Sequence, residues 1–153
     1  MSPSAVVLLP HTPSSVAAAR RLLAADLASA GIYGSAVGDA ALVVSELLSN
    51  AIRHAAPLPG STVRVAWTLT GDAVRVAVSD AGGGSLPRIT QASPAAPGGR
   101  GLGIVESLSA RWGVRRDEGE TTVWAIVGAP HAPGAATVPV IPVTESERSV
   151  AEA

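Results

Sequence analysis

The stretch SELLSNAIRHA, residues 45–55, has an apolar helical pattern that polar groups interrupt. Apolar side chains recur at helical spacing and share one broad side: Val44, Leu47, Leu48, Ala51 and Ala55. Polar side chains three and four residues apart form a neighbouring stripe: Glu46, Asn50, Arg53 and His54. Such a stripe is either a solvated helix face or the lining of a pocket.

Length and composition favour a single intracellular domain. The chain has 153 residues, and 11 Lys and Arg against 12 Asp and Glu give a net charge of −1, so nucleic acid is not an expected partner. The absence of cysteine excludes disulfides and thiolate metal sites and fits a reducing cytoplasm. The apolar run at 5–10 is too short for a secretory signal, and no apolar run is long enough to suggest a membrane span.

The first half of the chain predicts a strand or ordered lead-in followed by two helices. Residues 1–13 form the lead-in, with an apolar piece at 5–9. Ser14 or Ser15 is a candidate N-cap for a helix over 16–30. A second helix is expected over 35–56, ended by prolines at 57 and 59.

The second half predicts strands. Period-two alternation at 62–69 and 74–79 around the turn at 70–72 indicates an antiparallel hairpin. A glycine- and proline-rich stretch at 81–100, a short helix over 102–111 and a last strand over 121–127 follow. Residues 14–128 are therefore the expected domain, and the Ala- and Pro-rich residues 129–153 are expected to be a flexible tail. This order predicts an α+β fold, a two-layer sandwich with helices on one face of a mixed, largely antiparallel sheet.

Two further motifs could carry chemistry. In VAVSDAGGG, residues 76–84, strand alternation places Asp80 toward the core, where an unpaired carboxylate is costly. The segment is either an ordinary Asp-Gly turn or a ligand site. In PGGRGLGIV, residues 97–105, four glycines precede a helix. Their backbone N–H groups and Arg100 suit an anion, although a flexible connector is the alternative.

The order and spacing of these motifs resemble those of the GHKL, or Bergerat-fold, ATPases over residues 14–127. SELLSNAIRHA is similar to their N box, DAGGG to their first glycine box and GGRGLGIV to their second. Within that superfamily the short chain and short lid resemble the bacterial anti-sigma-factor serine/threonine kinases, the RsbW-like branch.

The resemblance implies a role for each matching residue. Asn50 would be the Mg²⁺ ligand that holds the ATP phosphates, and Glu46 would be the catalytic general base. Asp80 would accept a hydrogen bond from the adenine amino group, while Gly82 and Gly84 would let adenine and ribose approach the turn.

Further positions follow from the same resemblance. A lid over the phosphates would consist of Gly99, Arg100, Gly101, Leu102 and Gly103. Thr122 would lie near the adenine, and Arg53 and His54 would be phosphate contacts or helix–lid pairs. The lid has no lysine, so Mg²⁺, backbone N–H groups and arginines would have to neutralise the phosphates. His11, in a proline-bounded loop, is interpreted as incidental.

The implied function is a cytoplasmic Mg·ATP-dependent kinase that binds a sigma factor and phosphorylates a Ser or Thr of an anti-sigma antagonist. Direct nucleic-acid or membrane partners are not expected, and a homodimer is left open. The alternative is a non-catalytic module in which ATP only gates partner binding. A third alternative is an α+β domain that binds no nucleotide.

Overall fold

The computed structural model describes residues 4–83 and 99–128. Its elements follow one another in this order: β1 (Ser4–Pro10), α1 (Ser14–Ser29), α2 (Ser35–His54), β2 (Thr62–Thr70), β3 (Ala73–Asp80), α3 (Gly99–Leu108), β4 (Arg111–Asp117) and β5 (Glu120–Gly128). The predicted pair of N-terminal helices and the β2–β3 hairpin are confirmed. The predicted tail at 129–153 lies outside the described residues.

The five described strands form one sheet in the order β1-β2-β3-β5-β4. All four pairings are antiparallel, so the predicted α+β sandwich is confirmed with no parallel pair among these strands. The N-terminal lead-in is a strand of this sheet, because β1 pairs with β2 along its whole length. β3 is therefore the central strand of the sheet, with two strands on each side of it.

The two faces of the sheet differ in what covers them. Val74, Val76 and Val78 of β3 belong to the same core cluster as the buried side chains of α1 and α2. This side is called the helix face. Residues of the opposite parity, such as Ala77 and Trp124, form a separate cluster on the outer face. Successive strand residues alternate between the two faces, so parity assigns each site residue to one of them.

Helices α1 and α2 build the core that positions the site. α1 buries Ala19, Leu23 and Leu27 at four-residue spacing, and Asp26 accepts a hydrogen bond of 2.7 Å from the Trp67 indole N–H of β2. By length and composition α2 could cross a membrane, but its buried side chains belong to the core cluster shared with α1 and the sheet. α2 is therefore a helix of the protein core.

Three local expectations are corrected. The helix predicted over 102–111 ends at Leu108, and Arg111 instead begins β4, which was not predicted. The register of β4 against β5 gives its backbone groups sheet partners. Neither Ser14 nor Ser15 caps α1, because the helix begins at Ser14 and Pro13 occupies the cap position. The Ser15 hydroxyl donates instead to the Pro10 carbonyl, at 2.5 Å.

Candidate nucleotide site

The polar stripe of α2 changes in exposure along its length. Glu46 and Asn50 are half-buried, whereas Arg53 and His54 are exposed in the last turn of the helix. Cations at a helix C-terminus are stabilised by the helix dipole, which gives these two side chains a structural reason for their positions. Glu46 and Asn50 lie one turn apart, so their side chains share one side of the helix. The predicted metal ligand and the predicted base are thus neighbours.

Asp80 ends β3 on the helix face and is only 4% exposed. Its Oδ1 accepts a hydrogen bond of 2.6 Å from the backbone N–H of Gly82, which has a positive φ of 80°. This geometry is the Asp-Gly turn that the sequence allowed. The turn does not remove the cost of burying the carboxylate, since no ion pair to Asp80 occurs among the described residues. The Asp80 carboxylate therefore stabilises the turn and can still accept a hydrogen bond from a ligand.

The loop after Asp80 is fastened to the end of α2. The Ala81 N–H donates to the Ala56 carbonyl at 3.0 Å, and the Ala56 N–H donates to the Gly82 carbonyl at 2.6 Å. A Cβ at Gly83 would lie 2.7 Å from the His54 carbonyl oxygen and 3.0 Å from the Ala55 Cα. The backbones meet too closely for any side chain at Gly83. This contact fixes Asp80 relative to the polar stripe of α2.

Gly83→Ala should destabilise the protein, because both atoms that crowd the new methyl group belong to the backbone. Overpacking of this kind costs about 1–3 kcal/mol. The matched control is Gly38→Ala in α2, where a Cβ would meet nothing within 4 Å, and where alanine should stabilise the helix by up to about 1 kcal/mol. Urea unfolding of both variants measures the difference. Equal stability of the two variants would contradict the close approach.

Burial raises the pKa of Asp80 above its ordinary value, and this effect outweighs three opposing ones. The Gly82 N–H, His11 and Arg116 each lower the pKa. A raised folded-state pKa means that stability from this group is fully present below the unfolded pKa and is lost as pH rises through the folded pKa. At neutral pH the ionised form is thus the costly one. A ligand that donates a hydrogen bond to the carboxylate would offset this cost.

The two threonines near the start of β5 lie on opposite faces of the sheet, and the one beside Asp80 precedes the predicted one by one residue. Asp80 pairs with Thr121 and Ser79 pairs with Thr122. Thr121 is buried on the helix face, and its Oγ1 would lie 3.2 Å from a Cβ at Gly82. Thr122 lies on the outer face, where its hydroxyl is 2.7 Å from that of Ser79. Thr121, not the predicted Thr122, is the hydroxyl beside Asp80.

The second glycine motif begins α3. Gly99, Arg100, Gly101 and Leu102 lie in its first turn, so the helix begins three residues earlier than predicted and includes the predicted lid residues. Within the part of the chain that the structure describes, a Cβ at Gly103 would meet no atom within 4 Å. Gly84, predicted to contact the nucleotide, lies outside the described residues.

His11, which the sequence analysis interpreted as incidental, has a structural role that joins β1 to α2. Its backbone N–H donates to the Ser61 carbonyl at 2.9 Å, and its Nε2 is 3.2 Å from the Ala51 carbonyl of α2. The spacing of residues gave no signal for this, because His11 and Ala51 are 40 positions apart.

A cavity of about 320 Å³ adjoins the Asp80 turn at the end of the sheet. Its lining comprises the loop after β3 and the β4–β5 hairpin: Ala81, Gly82, Gly83 and residues 116–121. No residue of α2 lines it, so this cavity does not by itself contain Glu46 and Asn50. The site therefore has two parts, a polar helix stripe and a carboxylate turn, joined by the fastened loop.

The profile of the family described as the histidine kinase-like ATPase domain matches residues 9–127, more than half of the chain. The chain belongs to this family. The resemblance in the sequence is therefore confirmed at the level of the family, and membership implies nucleotide binding. No curated protein sequence matches the chain significantly.

Solved histidine kinase-like structures include a bacterial protein with a related architecture. The crystal structure of the RsbU and RsbW domains of Rv1364c from Mycobacterium tuberculosis is 25% identical, with a TM-score of 0.64. The match covers 83% of the present chain and 32% of that one, so the chain spans about a third of its length. The histidine kinase domain of the blue-light activated kinase EL346 from Erythrobacter litoralis is 28% identical, with a TM-score of 0.43, over 61% of this chain and 45% of that one.

The donor set of this histidine kinase-like ATPase domain fits magnesium bound together with phosphate. In the described ranges, no group of three His, Asp or Glu side chains could hold a metal ion alone. Mg²⁺ usually takes one or two protein oxygens, several waters and substrate phosphates. The half-buried amide of Asn50 suits that arrangement.

Proposed function

We propose that this chain is a cytoplasmic anti-sigma-factor kinase that uses Mg·ATP to phosphorylate a Ser or Thr of a small antagonist protein. We also propose that the chain holds a sigma factor inactive until the antagonist takes the place of that sigma factor. The observation that carries the proposal is the buried Asp80 carboxylate, fastened to the polar stripe of α2 within a histidine kinase-like ATPase fold. Similarity to the M. tuberculosis structure, which includes an RsbW domain, also supports the proposal, because the sequence motifs resemble the RsbW-like branch.

Each part of the site would supply a separate element of the reaction. Asp80 would accept the adenine amino N–H, and the Thr121 hydroxyl would add a neutral hydrogen bond beside it. Asn50 would hold Mg²⁺, which neutralises charge on the phosphates. The antagonist hydroxyl would give its proton to Glu46 while its oxygen bonds to the γ-phosphorus. The bond from that phosphorus to the β,γ-bridging oxygen breaks and ADP leaves.

Positioning and charge stabilisation would provide most of the rate enhancement, because phosphoryl transfer requires little covalent chemistry from the protein. The rigid contact between Gly83 and the end of α2 supports this, since it fixes the base-binding turn relative to the phosphate-binding helix. The exposed Arg53 and His54 at the end of α2 remain proposed phosphate or lid contacts. Arg100 and Gly101 at the start of α3 remain proposed lid residues.

The kinase proposal is tested by incubating the purified chain with Mg²⁺, γ-labelled ATP and candidate antagonist proteins. We expect label on the antagonist as phosphoserine or phosphothreonine, stable in acid. Acid-labile phosphohistidine would contradict the Ser/Thr assignment. Binding of ATP without transfer to any candidate antagonist would contradict the kinase activity.

Two isosteric substitutions test which threonine serves the nucleotide. Thr121→Val removes a hydroxyl beside Asp80, so ATP affinity should fall about 2- to 10-fold, the worth of one neutral hydrogen bond. Thr122→Val is the matched control, because that hydroxyl is on the outer face with Ser79. Its affinity should stay near the wild-type value. Calorimetric titration measures both, and a greater loss from Thr122→Val would contradict the assignment to Thr121.

A further inference from the structure

A basic side chain that none of the family motifs includes lies in line with Asp80. On the helix face, Asp80 of β3 pairs with Thr121 of β5, and Thr121 pairs with Arg116 of β4. We propose that Arg116 is a positioning residue whose positive charge favours the ionised form of the Asp80 carboxylate and so extends adenine binding toward acidic pH. The consequence for ATP rests on the proposed function, whereas the effect on Asp80 itself does not.

The sheet geometry brings Arg116 within electrostatic reach. Adjacent strands are about 4.8 Å apart, so the backbones of Arg116 and Asp80 are about 10 Å apart across β5. Between them is Thr121, which adds no charge. Arg116 also lines the same cavity as Gly82, whose N–H binds the Asp80 carboxylate. Among the described residues Arg116 forms no ion pair with Asp80, so an effect on the carboxylate has to act through space.

Other charged groups around Asp80 act on it as well, and Arg116 is the basic residue that β4 contributes on the helix face. From β1 the loop presents His11, whose Nε2 is engaged with the Ala51 carbonyl. From α2 come Glu46, half-buried, and the exposed basic residues of the last turn, Arg53 and His54. On β5, Glu120 is of outer-face parity and pairs with Arg64.

Two acidic residues of the β4–β5 turn make the electrostatic potential in the cavity beside Asp80 more negative. Asp117 and Glu118 line the cavity together with Arg116 and are exposed. Arg116 is therefore the cation on this side of the turn that offsets them near the carboxylate.

The direction of the electrostatic effect supports the geometry. Burial raises the pKa of Asp80, while the Gly82 N–H, His11 and Arg116 lower it. Because Arg116 is exposed, solvent weakens its influence. Without Arg116 the carboxylate should take up a proton at higher pH. A protonated Asp80 is a poorer acceptor for the adenine amino group, so ATP affinity should then fall first on the acidic side.

Arg116→Gln tests the effect in the nucleotide-free protein by carbon NMR of the Asp80 carboxyl group. The Asp80 titration should move to higher pH in Arg116→Gln and stay near the wild-type curve in Arg116→Lys. Arg115→Gln is the matched control, since it removes the same charge from the opposite face of β4. An unchanged titration in Arg116→Gln, or an equal shift in Arg115→Gln, would overturn the proposal.

Calorimetric titration with Mg·ATP across the acidic to neutral range provides the functional readout. The affinity ratio of wild type to Arg116→Gln should grow as pH falls, whereas Arg115→Gln should give a ratio that does not change with pH. A pH-independent loss in Arg116→Gln would mean a merely structural or direct contact and would overturn the proposal. If the wild type binds no ATP, the proposed function fails while the NMR titration still decides the role of Arg116.

Discussion

Glu46→Gln should lower the rate of phosphotransfer to the antagonist by about 10²- to 10⁴-fold, the usual contribution of a general base. Glutamine keeps the size and polarity of the side chain but cannot accept the proton of the attacking hydroxyl. Glu46 is half-buried on α2, one turn before Asn50, so the substitution should not disturb the core. Affinity for Mg·ATP should therefore remain near the wild-type value. Single-turnover transfer of labelled phosphate measures the rate, and calorimetry measures the affinity.

Asp39→Asn is the matched control for Glu46→Gln. Asp39 is also half-buried on α2 and lies two turns earlier, outside the candidate site. It should transfer phosphate at the wild-type rate. A wild-type rate in Glu46→Gln would contradict its role as base. If Glu46→Ala also leaves sigma-factor regulation intact in cells, the chain functions as an ATP-gated binding module instead.

Asn50→Ala should weaken Mg·ATP binding by more than about 100-fold. Loss of groups that merely support a metal ligand costs about 10- to 100-fold in metal affinity, and Asn50 is proposed as the ligand itself. Alanine suits a helix, so α2 should retain its structure. Calorimetric titration with Mg·ATP measures the loss.

Removing Mg²⁺ separates the metal role of Asn50 from a direct contact with the nucleotide. In excess chelator, wild type and Asn50→Ala should bind ATP with similar, weaker affinity, because the metal is absent from both. Ser49→Ala, the adjacent half-buried position on α2, is the control and should bind Mg·ATP normally. An equally large difference with and without Mg²⁺ would contradict metal ligation by Asn50.

Strong periodicity explains which parts of the fold could be predicted from sequence. The apolar side of α2 and the alternation of β2 and β3 extend over many residues, so each pattern had one dominant interpretation. β4 was missed because Trp112 and Val114 alternate with Arg111 and Gly113 over too few positions to outweigh the helical pattern before them. Its pairing with β5 stabilises the strand, and that contact is visible only in the fold.

Strand alternation in the sequence could predict the orientation of Asp80. It could not predict contacts that depend on how neighbouring strands pair. Asp80 was placed toward the core correctly, because only one side of β3 continues the Val74, Val76 and Val78 series. In β5 both parities are apolar, since Trp124 and Ile126 face outward while Val123 and Ala125 face the helices. Alternation alone could not choose between Thr121 and Thr122. The β3–β5 register makes that choice.

Isothermal titration of the folded wild-type chain with Mg·ATP tests whether the chain binds a nucleotide. We expect saturable binding of one nucleotide per chain, with the affinity lowered when Mg²⁺ is removed. The concentration series should extend to about 1 mM, the upper end of the usual range for enzyme substrates. Absence of saturable binding across that range would contradict the nucleotide site built from α2 and the Asp80 turn.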